Sequence, residues 1–178
     1  MDSSTTSPAA PAAPITTLLR ALSVPAIGTH WFEQGGIFAG IGRGQAGAPD
    51  YALIVPVDPR GHFEDREWGQ YGLDVPGAAS AHDGPANTQA MAAAGSQLAQ
   101  DCLALDIGGH ADWCLASHAD LDLARANVPE LFVKGDWYWT STQYSPYGAW
   151  VQDFESGTSN IGDKANEFRA VAVRRLVL

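Results

Sequence analysis

Positive charge is scarce in this chain: ten Lys and Arg stand against twenty Asp and Glu, a formal net charge of −10. A surface with that balance repels phosphate backbones and anionic headgroups, which argues against nucleic acid and membrane surfaces as partners. Cysteine is nearly absent. Cys102 and Cys114 are the only two, too few for the disulfide framework of a small secreted scaffold. Two small buried thiols, or one bridge or ligand pair, are the readings that remain. No run of about 18 apolar residues occurs, so no membrane-spanning helix is expected. Charged residues of both signs make up only 17% of the chain, whereas 46% is apolar and six residues are Trp. That is ample material for a core, and 178 residues suit one domain of ordinary size with an appended tail.

Familiar catalytic patterns are missing as well. The chain has no GxSxG nucleophile elbow and no phosphate-binding P-loop. One dinucleotide-type match exists, Gly42-Arg43-Gly44-Gln45-Ala46-Gly47. Its mechanism needs a helix N-terminus directly after the last glycine, aimed at a pyrophosphate. Pro49 and a β-rich run follow instead, so the stretch reads as a hairpin turn. His110-x-Asp112 and His118-x-Asp120 lack the further His or Cys that zinc spacing requires, and surface or helix-capping roles fit them better. Calcium needs no tight spacing, and Asp153, Asn160, Asp163 and Asn166 carry suitable oxygens; it is the one cation the sequence leaves open. No cofactor and no catalytic residue is assigned, and the expectation is a protein that is not an enzyme.

Residues 1–14 are rich in Pro, Ala, Ser and Thr and read as a disordered or extended arm, with too little apolar surface to fold alone. Ile15, Leu18, Leu19 and Leu22 then fall at helical spacing, ended by Pro25. Residues 1–28 are therefore set apart as an attachment or oligomerisation segment, docking outward or packing on its own domain, and 29–178 form the domain proper. Strand-like residues 35–41 and 51–57 flank the Gly-rich turn, and 62–85 is irregular with Trp68 as an anchor. Two helices are expected next. One spans about 85–103; the other starts at Ser117, which caps it, has Asp120 in its first turn, and stops near Asn127 before Pro129. Residues 137–142, 148–154 and 168–178 return to strand. Within 149–154, Trp150, Gln152 and Phe154 share one side, and Ala149, Val151 and Asp153 the other. Strands, helices, then strands give an α+β fold, not the alternating order of a doubly wound sheet.

The informative stretch is 136–175. It concentrates aromatics (Trp137, Tyr138, Trp139, Tyr144, Tyr147, Trp150, Phe154 and Phe168) and interleaves them with small polar and acidic residues. Tyr with Ser, Gly, Asn and Asp on loops above a rigid sheet is the composition of an adaptable binding surface. Tyr supplies contact area at low entropic cost and the small polar groups supply hydrogen bonds. Trp139, Trp150 and Phe154 read as core; the polar residues between them read as binding.

Several motifs then occur in a fixed order: Asn87-Thr88, Gly109-x-x-Asp112-Trp113-x-Leu115, Tyr138-Trp139-Thr140-Ser141-Thr142-Gln143-Tyr144-Ser145, Ala149-Trp150-x-Gln152-x-Phe154-x-x-Gly157 and Arg169-Ala170-Val171-x-Val173-Arg174. This series resembles the C-type-lectin-like domains at the ends of bacterial collagen-like adhesins, in phage tail proteins and in retroelement-diversified variable proteins. The resemblance runs over 31–178 and is loose before Pro85. It implies a C-type-lectin-like fold of small mixed or antiparallel sheets with two helices. It implies scaffold roles for Trp139, Ser141, Trp150, Phe154, Gly157 and Arg174. It also implies an exposed, ligand-facing set: Gln143, Tyr144, Tyr147, Gln152, Asp153, Thr158, Asn160, Asp163, Asn166 and Glu167. Two departures stand out. Leu115-Ala116-Ser117 replaces the family's Leu-Pro-Ser, and the Glu-Pro-Asn and Trp-Asn-Asp triplets of calcium-dependent sugar binders are absent. Formylglycine-generating enzymes share the broad fold class but use a larger chain and reactive cysteines, which Cys102 and Cys114 do not resemble.

Residues 1–14 lack the basic start and apolar stretch of a signal peptide, which favours assembly in a host cytoplasm over export. The expected function is that of a phage tail-fibre or tail-tip receptor-binding protein. It would sit in the virion as a homo-oligomer, meet a host-surface receptor (protein or glycan), and join other tail proteins through 1–28. A virion decoration or connector subunit and a bacterial surface adhesin are the alternatives.

Overall fold

A computed structural model describes residues 24–178. Among them are nine strands: His30–Trp31 (β1), Gly36–Gly42 (β2), Tyr51–Pro56 (β3), His62–Arg66 (β4), Trp113–Leu115 (β5), Trp137–Gln143 (β6), Gly148–Asp153 (β7), Ser159–Asp163 (β8) and Phe168–Val177 (β9). Three α-helices accompany them, Gly84–Ala93 (α1), Gln97–Leu103 (α2) and His118–Asn127 (α3). The fold is α+β with a mostly antiparallel sheet. The expected arm and the segment at 15–24 lie outside the described residues, apart from Val24, which packs on the core.

β9 organises the sheet. Its C-terminal half pairs with β3 on one edge and β5 on the other, as in Ile54↔Arg174 and Cys114↔Val173. Its N-terminal half pairs with β4, and with β6 through Tyr138↔Arg169, the parallel contact. The main order is β1-β2-β3-β9-β6-β7-β8. Period-two alternation along β9 then builds two cores, one on each side. Ala170 and Ala172 join Trp68, Met91, Leu98, Trp113 and Trp139 under α1 and α2. Val171 and Val173 join Leu53, Leu121, Phe132, Tyr138 and Phe154 under α3. All four β9 side chains are fully buried, and each buried Val contributes roughly 1.5–3 kcal/mol.

The single helix expected over 85–103 is two helices. Gly95 adopts φ +91°, a left-handed geometry that L side chains resist, and the chain turns there. Ser96 then caps α2 by accepting from the amide of Ala99 and donates to the Trp68 carbonyl at 2.6 Å. Sequence periodicity continues across 94–96, so the break was not visible in it. α3 begins as expected: Ser117 and Asp120 form a reciprocal capping box.

Asp120 does more than cap. It is fully buried, and its carboxylate accepts from Tyr51 Oη (2.8 Å), the Ser117 amide (2.9 Å), Ser117 Oγ (2.8 Å) and Arg175 Nη2 (2.5 Å). A buried charge is tolerated only with such complete pairing. Burial beside this carboxylate pushes the Tyr51 phenol well above its ordinary value.

Candidate functional site

The three-stranded edge β6–β7–β8 carries the site. In β7, Ala149 and Val151 point into the core under α1 and α2. Trp150 and Gln152 point the other way, with Ile161 and Ser159 of β8 directly opposite them. One end of this outward side is covered by α3. There Gln152, Tyr138 and Phe154 are buried, and Phe154 stacks on Phe132 with centroids 3.8 Å apart.

The other end is open. α3 starts at His118, whose ring stacks on Trp150 at 4.9 Å and whose Nε2 lies 3.1 Å from Ser159 Oγ. Beyond it Tyr144 stands edge-on to Trp150 at 5.7 Å and is 59% exposed, and Ile161 is 40% exposed. Tyr147, 58% exposed, packs at 5.2 Å on Tyr71, 52% exposed. Gly148 leaves room for Ile161, since a Cβ there would come within 2.6 Å of Ile161 Cγ2. The result is a partly exposed strip of Tyr71, Tyr147, Tyr144, Trp150 and Ile161, rimmed by His118 and Asp163. Each aromatic ring in it rests on another ring, which restricts its rotamers before any partner arrives.

A buried polar knot holds the strip from behind. Lys164, fully buried, donates from Nζ to Gln143 Oε1 (2.7 Å) and to the Leu73 carbonyl (2.8 Å), and lies 4.4 Å from the Trp68 ring centre. Gln143 Oε1 also accepts from the Val75 amide (2.8 Å), while its Nε2 donates to Asp74 (2.7 Å). The Gly72 amide donates to the Pro146 carbonyl at 3.0 Å. Together these bonds clamp the irregular loop bearing Tyr71 onto the β6–β7 turn bearing Tyr147. Burial lowers the Lys164 ammonium to about 8, opposed by the nearby Asp74 carboxylate.

Two residues of the expected ligand-facing set are corrected by this arrangement. Gln143 is 6% exposed and Gln152 fully buried. Gln143 is consumed by the Lys164 knot. Gln152 lies under the α3 side, accepting from Ser159 Oγ at 2.7 Å and donating to the Asp153 carbonyl at 3.1 Å. Both are framework. The remaining eight do not form one patch. Tyr144, Tyr147 and Asp163 gather at the open end. Asp153 and Thr158 lie in the β7–β8 turn, where the Asp153 carboxylate accepts the amides of Glu155 and Ser156 at 2.9 Å each. Those bonds and the Ser156 hydroxyl hold Asp153 below the usual carboxylate range. Asn160 is exposed on β8, paired with Val151 and so on the side away from Trp150. Asn166 and Glu167 are exposed in the β8–β9 turn, with Glu167 beside Asp65 and Asp136.

The four residues that offered calcium oxygens are likewise dispersed. Asp153 and Asp163 lie near opposite ends of β7, since Asp163 pairs with Gly148, a separation of roughly 17 Å at strand rise. Asn160 Oδ1 accepts from the Ile161 amide and Asp163 Oδ1 from the Ala165 amide. Among the described residues no three His, Cys, Asp or Glu side chains converge on a point that could hold a metal ion. Cys102 and Cys114 are free and buried in separate cores, and burial pushes both thiols up.

Sequence reasoning missed Tyr71, His118 and Ile161, and placed Trp150 in the core, although one edge of it reaches the strip. Ile161 was legible in principle: Ser159, Ile161 and Asp163 alternate as one face of a strand. Tyr71 carried no local signal, because a pairing between residues 71 and 147 is set only by tertiary structure. The chain matches no protein-family model, and no curated protein is similar enough in sequence to count as a relative.

Proposed function

We propose that this chain is a recognition protein with a C-type-lectin-like domain, and that the strip Tyr71, Tyr147, Tyr144, Trp150 and Ile161 is its contact surface. The observation that carries the reading is the unequal cover of one sheet face: aromatics continue past the end of α3 into solvent, stacked on one another. Tyr and Trp in such positions provide most of the energy of many interfaces. The order of motifs from Asn87 to Arg174 supports the lectin-like assignment, as do the β9-centred sheet and the flanking helices. The setting in a phage tail fibre or tail tip, facing a host receptor, follows from that family resemblance.

The test is binding of the labelled full chain to a panel of bacterial cells, with Tyr144→Ala/Tyr147→Ala alongside. The double variant is expected to lose at least about thirtyfold in apparent affinity, equivalent to roughly 2 kcal/mol. Its stability should fall by no more than about 1.5 kcal/mol, the value of the lost ring contacts. Undiminished binding by the double variant removes the strip from the function.

A further inference from the structure

A second concave site lies away from the aromatic strip, between the β2–β3 turn and the segment that leads into α1. Its volume is about 350 Å³, and Arg43, Tyr51, His82, Pro85, Arg175 and Val177 are among its walls. That volume falls in the range of small-molecule sites, roughly 300–1,000 Å³. A neighbouring hollow of about 230 Å³ shares Arg43, Tyr51 and His82 and extends past Ile41 and Leu123. Carbon surface dominates the walls, through the Tyr51 ring, Pro85 and Val177.

Two guanidinium groups on one cavity are conspicuous in a chain of net charge −10. Arg175 is held rigid. Its Nη2 donates to Asp120 and to Ser117 Oγ (3.0 Å), and its Cζ lies 4.2 Å from the Tyr51 ring centre. Its Nε is buried without a hydrogen-bond partner, so the group retains donor capacity that the Asp120 pair does not use. Arg43 makes no ion pair among the described residues. The carboxylates nearby are committed elsewhere: Asp120 accepts four donors, Asp83 caps α1 through the Ala86 amide at 3.1 Å, and Asp50 accepts from the Gly44 amide at 2.9 Å.

We infer that this cavity binds a small organic monocarboxylate with an aromatic or branched apolar body, its anionic end between Arg43 and Arg175 and its body along Tyr51, Pro85 and Val177. Guanidinium forks suit a planar carboxylate, and charge-assisted bonds of this kind are the stronger ones. The site is independent of the aromatic strip and of any partner bound there.

The experiment titrates the full chain with benzoate, phenylacetate and indole-3-acetate at millimolar concentration, following amide and side-chain NMR shifts, with indole-3-acetamide as the neutral isostere. At least one acid is expected to shift Tyr51, His82 and Val177, and indole-3-acetate to bind at least about tenfold more tightly than its amide. Arg43→Ala should remove about tenfold from acid affinity and leave amide affinity and melting unchanged, because Arg43 is exposed. Val177→Trp, which fills the cavity from an exposed strand end, should abolish both. The inference is overturned if none of the acids shifts these residues, if acid and amide bind alike, or if Arg43→Ala has no effect.

Discussion

The two ends of the outward β6–β7–β8 face are made of the same kinds of residue and meet opposite fates. At one end Tyr138, Gln152 and Phe154 lie under α3 and are shut from water; at the other Tyr144 and Ile161 stand in it, with Trp150 between. The difference is the reach of one helix. α3 is ten residues long, about 15 Å, and its first residue, His118, ends against Trp150. Aromatic content alone therefore does not mark a core. Whether a ring stabilises the fold or is free to meet a partner is decided by where the covering helix stops.

Substituting one ring at each end separates the two roles most strongly. Phe154→Ala should cost about 3–5 kcal/mol, because it opens a cavity in the cluster with Phe132 and Tyr138. Tyr144→Ala should cost roughly 0.5 kcal/mol, as exposed positions do. Urea denaturation of both variants checks this, and similar costs at the two ends would erase the distinction.

A smaller effect sharpens the picture of what holds the open end in place. Burial lowers Lys164 to about 8 against 10.5 in the unfolded chain. Below pH 8 both states are protonated and the folded protein bears the full penalty of the buried charge. Between about pH 8 and 10.5 the folded state releases its proton first, so the unfolded state binds more protons and stability rises with pH. Relative to Lys164→Met, the protein should therefore gain roughly 2 kcal/mol between about pH 7.5 and 9.5. Cys102, Cys114 and Tyr51, whose protons burial retains, give the opposite slope in both proteins and cancel in the difference. Denaturation curves at the two pH values decide it; a gap that stays flat or narrows contradicts a charge-burdened Lys164.

Much of the framework was legible because it depends on local signals. The alternation in Arg169-Ala170-Val171-Ala172-Val173 announced β9, and Ser117 with Asp120 announced the start of α3. The break at Gly95-Ser96 was not, since its cause is a left-handed glycine beside a capping serine whose hydroxyl is held by the distant Trp68 carbonyl. The candidate site was half legible. Tyr144 and Tyr147 were identified by type and position, but Gln143 and Gln152 were read as exposed because side-chain polarity does not reveal a buried partner. Lys164, 21 residues from Gln143 in sequence, supplies that partner. Tyr71 belongs to a loop without periodicity, and only the clamp at Gly72 and Leu73 brings it to the strip.

Tyrosine accessibility in the full chain reads the central claim directly. Tyr71, Tyr144 and Tyr147 are more than half exposed, whereas Tyr51 and Tyr138 are at most 8% exposed. Mild nitration followed by peptide mass mapping should modify the first three and spare the other two, in the protein as it assembles and without a partner present. Protection of Tyr144 and Tyr147 under those conditions would mean that copies of the chain already cover the strip, and the recognition account would fall.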